Sequence, residues 1–145
     1  MVQKKYNLMV LDKEDFPVMF VRVIRVDGFT DERRIYYFQQ AQGYAKRLNA
    51  DYVLVVSPFR MELWDSHTEK PIATFDTATA LGPYSHNWGP VEKLSHHGLE
   101  CLTDYWLSQI IFSLNDDQVP YKEELRKLGV VEKLKYGIVQ RNREE

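Results

Sequence analysis

Tyr52-Val53-Leu54-Val55-Val56 is an unbroken apolar run, and its reading decides the fold class. A strand with one face in water alternates apolar and polar residues, whereas a continuous run is the pattern of a strand covered on both faces. This run is therefore expected to be the central strand of the sheet, buried on both faces. Upstream, Asn49-Ala50 makes the turn into it, and a helix is expected from about Asp31 to Leu48. Ile35, Phe38, Ala41 and Ala45 recur at three and four residues and set one face of that helix against the sheet, with Tyr37, Tyr44 and Leu48 widening it. Asp27-Gly28 breaks the preceding segment, and Thr30 is placed to cap the helix.

Further out, Val18 to Val26 is rich in β-branched residues, and Tyr6 to Leu11 is short and apolar. Both read as strands. The polar stretch Asp12-Lys13-Glu14-Asp15-Phe16-Pro17 between them has hairpin length, so the two strands should pair antiparallel. On the other side of the central run, Ser57-Pro58-Phe59 forms a turn, Arg60 to Asp65 alternates, and Ile72 to Phe75 makes a short strand. These two should form an antiparallel edge of the same sheet.

The glycine and proline content of Gly82 to Pro90 predicts a loop within residues 77–90. From Val91 to Leu114 a long helix is expected, with Leu99, Leu102, Trp106 and Ile110 in one stripe and Leu107 and Ile111 beside it. Pro120, Glu123 and Glu124, and then Gly129, mark the two ends of a short helix. Val130, Val131 and Leu134 extend an apolar face to Gly137, and residues 138–145 read as a polar, frayed tail. The expectation is one domain over residues 1–145: a core at 6–76, a loop at 77–90, a helical part at 91–137 and the tail.

Composition narrows the function classes. A chain of 145 residues fits one core. Its 44% hydrophobic and 28% charged residues argue against disorder or low complexity. A formal net charge of -2 provides no general attraction to phosphate, so nucleic-acid binding has to come from a local site. Cys101 is the only cysteine, which excludes an internal disulfide and a thiolate zinc cluster. The opening Met1-Val2-Gln3-Lys4-Lys5-Tyr6 has no apolar signal region, and no run nears the roughly 18 to 20 apolar residues that cross a bilayer. A cytoplasmic protein without membrane contact is expected.

The succession of hairpin, helix, buried strand and second hairpin strand resembles the PD-(D/E)xK, or restriction-endonuclease-like, superfamily. It is most similar to the N-terminal nuclease domain of type I restriction enzyme R subunits. Tyr6-Asn7-Leu8-Met9-Val10, the second strand from Pro17 to Arg25, and Gln40-Ala41-Gln42-Gly43-Tyr44, which fits the Q-x-x-x-Y motif of that group, carry the likeness together with Ala50 to Asp65. The resemblance covers roughly residues 6 to 65. It implies an α/β fold with a mixed central sheet, one crossover helix and C-terminal helices packed on it. It also implies a helix before the first strand; the sequence starts almost at that strand. One sheet face is then left for the Val91 to Leu114 helix, a second copy or another protein to cover.

In that family an acidic residue on the first strand and an E-x-K on the second hold a divalent metal and orient the attacking water. Carried across, Asn7 stands at the first carboxylate, Arg22 at the glutamate and Ile24 at the lysine. Arg22 sets a fixed positive charge where a dication would bind, and Ile24 has neither donor nor acceptor. A shift of register restores nothing, because Val18 to Val26 contains no acidic residue. Gln40 and Tyr44 lie one turn apart, with two placements open: both face the vestigial pocket, or, the favoured one, Tyr44 packs in the core and Gln40 partners Arg22.

The remaining constellations are weaker. Asp12, Glu14 and Asp15 read as a solvated hairpin loop, since a calcium loop needs about six spaced oxygen ligands. Among His67, His86, His96 and His97 no pair stands at i, i+4, and no cysteine ligand is expected near them; no metal or other cofactor is assigned. Tyr84, His86 and Trp88 serve equally as a partner-binding surface or as a lid on the domain's own core. The expected function is that of a catalytically inactive, nuclease-like accessory module that binds a protein partner or its own copy. The alternatives are a metal-dependent endonuclease with carboxylates relocated to Asp12, Asp51 or Asp65, and non-cleaving nucleic-acid recognition through Arg22, Arg25, Arg33 and Arg34.

Overall fold

The computed structural model describes residues 7–25, 31–68, 70–113 and 118–141. Two strands come first, β1 (Leu8–Leu11) and β2 (Pro17–Val23), then helix α1 (Asp31–Arg47). Strands β3 (Tyr52–Val56), β4 (Arg60–Asp65) and β5 (Pro71–Asp76) follow, then helices α2 (Thr77–Leu81), α3 (His96–Phe112), α4 (Lys122–Lys127) and α5 (Val130–Leu134). The last element is strand β6 (Ile138–Arg141). The fold is α/β, with one open, mixed sheet of order β5-β4-β3-β2-β1-β6. Only β2 and β3, joined through α1, run parallel; the β1–β2, β1–β6, β3–β4 and β4–β5 pairs are antiparallel.

The apolar run sits where its pattern places it. All five β3 residues are buried between two helical layers, and strand parity deals their side chains alternately to two cores. Val53 and Val55 join Phe20, Ile24 and Trp64 beneath Phe38, Ala41 and Ala45 of α1. Tyr52, Leu54 and Val56 join Val21, Val23 and Leu63 beneath Leu99, Leu102, Trp106 and Ile110 of α3. The face that the sequence left in need of cover is therefore closed by α3 of the same chain, with α2, α4 and α5 beside it.

Several boundaries differ from expectation. Strand β2 ends at Val23 rather than Val26; Ile24 adds one more backbone bond, its N–H to Val56 O at 2.8 Å. Ile35 and Leu48 are exposed, so the α1 face is made by Phe38, Ala41 and Ala45, with Tyr37 and Tyr44 half-buried beside them as expected. Thr30, Asp27 and Gly28 lie outside the described residues, as do the side chain of Arg34 and the tail beyond Arg141. The segment 77–90 is not all loop: Asp76 caps α2, its carboxylate accepting the Thr79 N–H at 3.0 Å, and Ala80 and Leu81 are buried. A 3-10 turn follows at Gly82–Tyr84.

The long helix begins at His96, not Val91. Ser95 is its cap, with Oγ accepting the Gly98 N–H at 3.0 Å, and Leu94 before it is extended. Residues 138–141 are not a frayed tail. They form β6, an outer strand that needs little apolar burial because its role is to pair the backbone groups of β1. Gly137 makes that pairing possible: a Cβ there would lie 2.1 Å from the Leu11 carbonyl oxygen.

Candidate functional site

At the end of β2 the ladder with β1 is completed by side chains. Leu8 opposes Val21 in the last described pair. Two residues on, Val23 turns its N–H and C=O to the same side, as period-two geometry requires. The Val23 N–H donates to Asn7 Oδ1 at 2.7 Å, and the Val23 carbonyl meets His96 Nε2 at 3.1 Å. An Nε2–H donating to that carbonyl has no lone pair left for Asn7 Nδ2, so the 3.5 Å approach of those two nitrogens is a contact rather than a second bond. The other ring nitrogen of His96 faces Glu100 Oε2 at 3.8 Å. Asn7 is fully buried, and its oxygen carries a second partner, Arg22 Nη1 at 3.3 Å.

The Arg22 guanidinium lies 5.2 Å from the centre of the Tyr37 ring, a cation–π arrangement that keeps its face against α1. Burial pulls its pKa down from the ordinary arginine value, while Tyr37 and Tyr36 oppose that shift. The Arg22 Nε is buried without an acceptor among the described residues. A charged group in this setting is held in place by Asn7 and Tyr37 and turned toward the helix.

Of the positions singled out in sequence, Asn7 and Arg22 are thus in contact. Ile24 is buried in the core beneath α1. The Gln40 amide nitrogen donates to the Tyr36 hydroxyl at 3.0 Å, and the acceptor that Arg22 meets is Asn7. Tyr44 packs on Phe20, with ring centres 5.4 Å apart. His96 and Tyr37 complete the arrangement, and neither had been assigned to it; the separation of 89 residues between Asn7 and His96 leaves no local signal.

The three acidic residues considered as relocated ligands are engaged as follows. Asp12 Oδ1 accepts the N–H groups of Glu14 at 2.8 Å and Phe16 at 3.0 Å, an Asx-type closure of the hairpin. Asp51 pairs with Lys133 at 3.5 Å, and Asp65 Oδ1 accepts the His67 N–H at 2.8 Å. Asp12 and Asp51 line a common open pocket of about 470 Å³ together with Glu132, Lys13 and Lys133. Among the described residues no three His, Cys, Asp or Glu side chains gather where they could hold a metal ion.

Tyr84 and Trp88 lie on the α3 side of the sheet. Tyr84 packs on Tyr105 at 5.0 Å between ring centres, and Trp88 on His97 at 6.3 Å. Trp88 and Tyr105 remain about half exposed. His86 is exposed. No described helix is long and apolar enough to cross a membrane. In comparisons with protein-family models, with curated proteins and with solved structures, none matches this chain.

Proposed function

We propose that the chain is a nuclease-like scaffold that does not cleave and that acts as an accessory module, binding a protein partner or a second copy of itself. One observation carries this reading. The Asn7 oxygen, at the position the resemblance gives to a metal-holding carboxylate, is engaged by the Val23 N–H and by Arg22. A dication approaching that oxygen would meet a guanidinium instead of a second carboxylate. The residues that ordinarily do chemistry here stabilise the end of a strand.

The half-exposed rings of Trp88 and Tyr105, with Tyr84 behind them, support a partner face, because aromatic side chains of this kind supply contact area at small entropic cost. The inward turn of Arg22 against Tyr37 weighs against phosphate recognition at the same place. The pocket shared by Asp12 and Asp51 favours one rival, a hydrolase with relocated carboxylates. Calorimetric titration of the protein with Mg²⁺ and Mn²⁺, run beside a nucleic-acid cleavage assay, separates the two. The proposal expects neither binding nor cleavage, whereas cleavage lost in Asp12→Ala or Asp51→Ala would establish the rival. Light scattering and pull-down then test the binding role, and a strict monomer that captures nothing would count against it.

A further inference from the structure

Beneath Tyr84 and Trp88 lies the chain's one thiol. Cys101 is partly exposed on α3 and lines an open pocket of about 500 Å³ with Tyr84, Trp88, Tyr105 and Arg141. His97, one helical turn earlier, places Nε2 3.4 Å from the Cys101 sulfur. This i, i+4 pair is in the sequence, and it corrects the expectation that no cysteine stands near a histidine. From β6, across 40 residues, Arg141 Nη2 donates to the same sulfur at 3.2 Å. Asp104 holds the guanidinium from its other side, accepting from Nε at 3.2 Å, and is itself bonded by Ser108 Oγ at 3.3 Å. The bond to Cys101, followed by that to Asp104, outweighs burial and strengthens the charged form of Arg141.

We infer that this pocket is a reactive-thiol site whose reactant class is a small anionic disulfide. A nucleophile with a base in reach, a cation fixed beside it and an apolar cradle are the parts that thiol–disulfide exchange uses. His97 takes the thiol proton, and the Cys101 sulfur attacks one sulfur of the disulfide. The reagent's S–S bond breaks as the new one forms, and the electron pair leaves on the departing thiolate, which recovers the proton from His97. Cys101 ends oxidised as a mixed disulfide, and one thiol of the reagent is released reduced. Arg141 selects the reactant: of its five N–H donors, those not facing Cys101 and Asp104 can meet a carboxylate on the reagent while the rings of Tyr84, Trp88 and Tyr105 flank its body. The inference does not depend on the reading of Asn7 and Arg22, since it uses neither, although Tyr84, Trp88 and Tyr105 serve both the proposed partner face and this pocket.

The test measures reaction rates of the native protein with dithiobis(nitrobenzoate), an anionic aromatic disulfide, and with dithiodipyridine, a neutral one. Mercaptoethanol sets the ratio for an unassisted thiol. The ratio of anionic to neutral rate should exceed that reference by about tenfold, the scale of one charge-assisted hydrogen bond. Arg141→Met should return the ratio to the reference and, because it also removes a donor from the sulfur, slow the dithiodipyridine reaction as well, whereas His97→Asn should slow both reagents together by on the order of a hundredfold and leave the ratio above the reference. A wild-type ratio equal to that of mercaptoethanol would overturn the proposal whether or not either variant folds.

Discussion

Arg22 Nη1 donates to Asn7 Oδ1 across 3.3 Å, and the same oxygen takes the Val23 N–H at 2.7 Å. A side chain thus replaces a strand residue as the ladder partner of β2. Asn7→Ala leaves the buried Val23 amide without its acceptor and should lower the unfolding free energy by about 1 to 3 kcal/mol. Asn7→Asp keeps that acceptor and adds a charge beside Arg22, so its urea midpoint should stay near or above that of wild type. A destabilised Asn7→Asp with a neutral Asn7→Ala would reverse this account.

Arg22 is charged and half buried, and its Nε meets no acceptor among the described residues, so its contribution to stability is small. Replacement by an apolar side chain of similar length removes a desolvated charge. Arg22→Met should therefore leave stability unchanged within about 1 kcal/mol, or raise it. A loss above about 2 kcal/mol in chemical denaturation would mean that the guanidinium carries structural weight beyond its contact with Asn7.

Gly137 is fixed by proximity: a methyl group there would meet the Leu11 carbonyl at 2.1 Å and the Leu134 carbonyl at 2.9 Å, both of them backbone. Gly137→Ala should cost about 2 kcal/mol or more and release the amides that β6 protects on β1. Hydrogen exchange reads this directly, with faster exchange at β1 and unchanged protection at β3 as the expected result. Unchanged exchange at β1 would show that β6 is not the strand that protects it.

Tyr52 and Lys133 both hold their protons more tightly than in an unfolded chain. Burial pushes the Tyr52 phenol up from its ordinary 10.0, against the pull of Lys133. For Lys133, burial works downward but is outweighed by Tyr52 and Asp51, and the net shift is upward from 10.5. Above about pH 10 the folded state then binds more protons than the unfolded one, so stability falls as pH rises through the raised values. The contribution is complete below pH 10, and Tyr52→Phe should flatten the alkaline decline in melting temperature. A variant with the wild-type slope would place the effect elsewhere.

The legible part of this fold was the part written in periodicity. The unbroken Tyr52–Val56 run gave the buried parallel strand, and Phe38, Ala41 and Ala45 gave the helix face beneath which it lies. What stayed illegible depends on contacts distant in sequence. β6 has no apolar pattern because an outer strand needs only backbone pairing, and His96 reaches Val23 across 73 residues. The helix at Thr77–Leu81 is five residues long, too short for a period to register, although its Asp76 cap was visible in retrospect. His97 and Cys101 were legible as an i, i+4 pair, but Arg141 joins them only once β6 is in place.

The proposal that the chain is a nuclease-like scaffold in which Asn7 and Arg22 leave no opening for a metal is tested most directly by titrating the native protein with Mg²⁺ and Mn²⁺ in a calorimeter while assaying nucleic-acid cleavage in the same buffers. The account predicts no saturable heat and no cleavage with either ion. Saturable binding accompanied by cleavage would contradict it and move the chemistry to the carboxylates of Asp12 and Asp51.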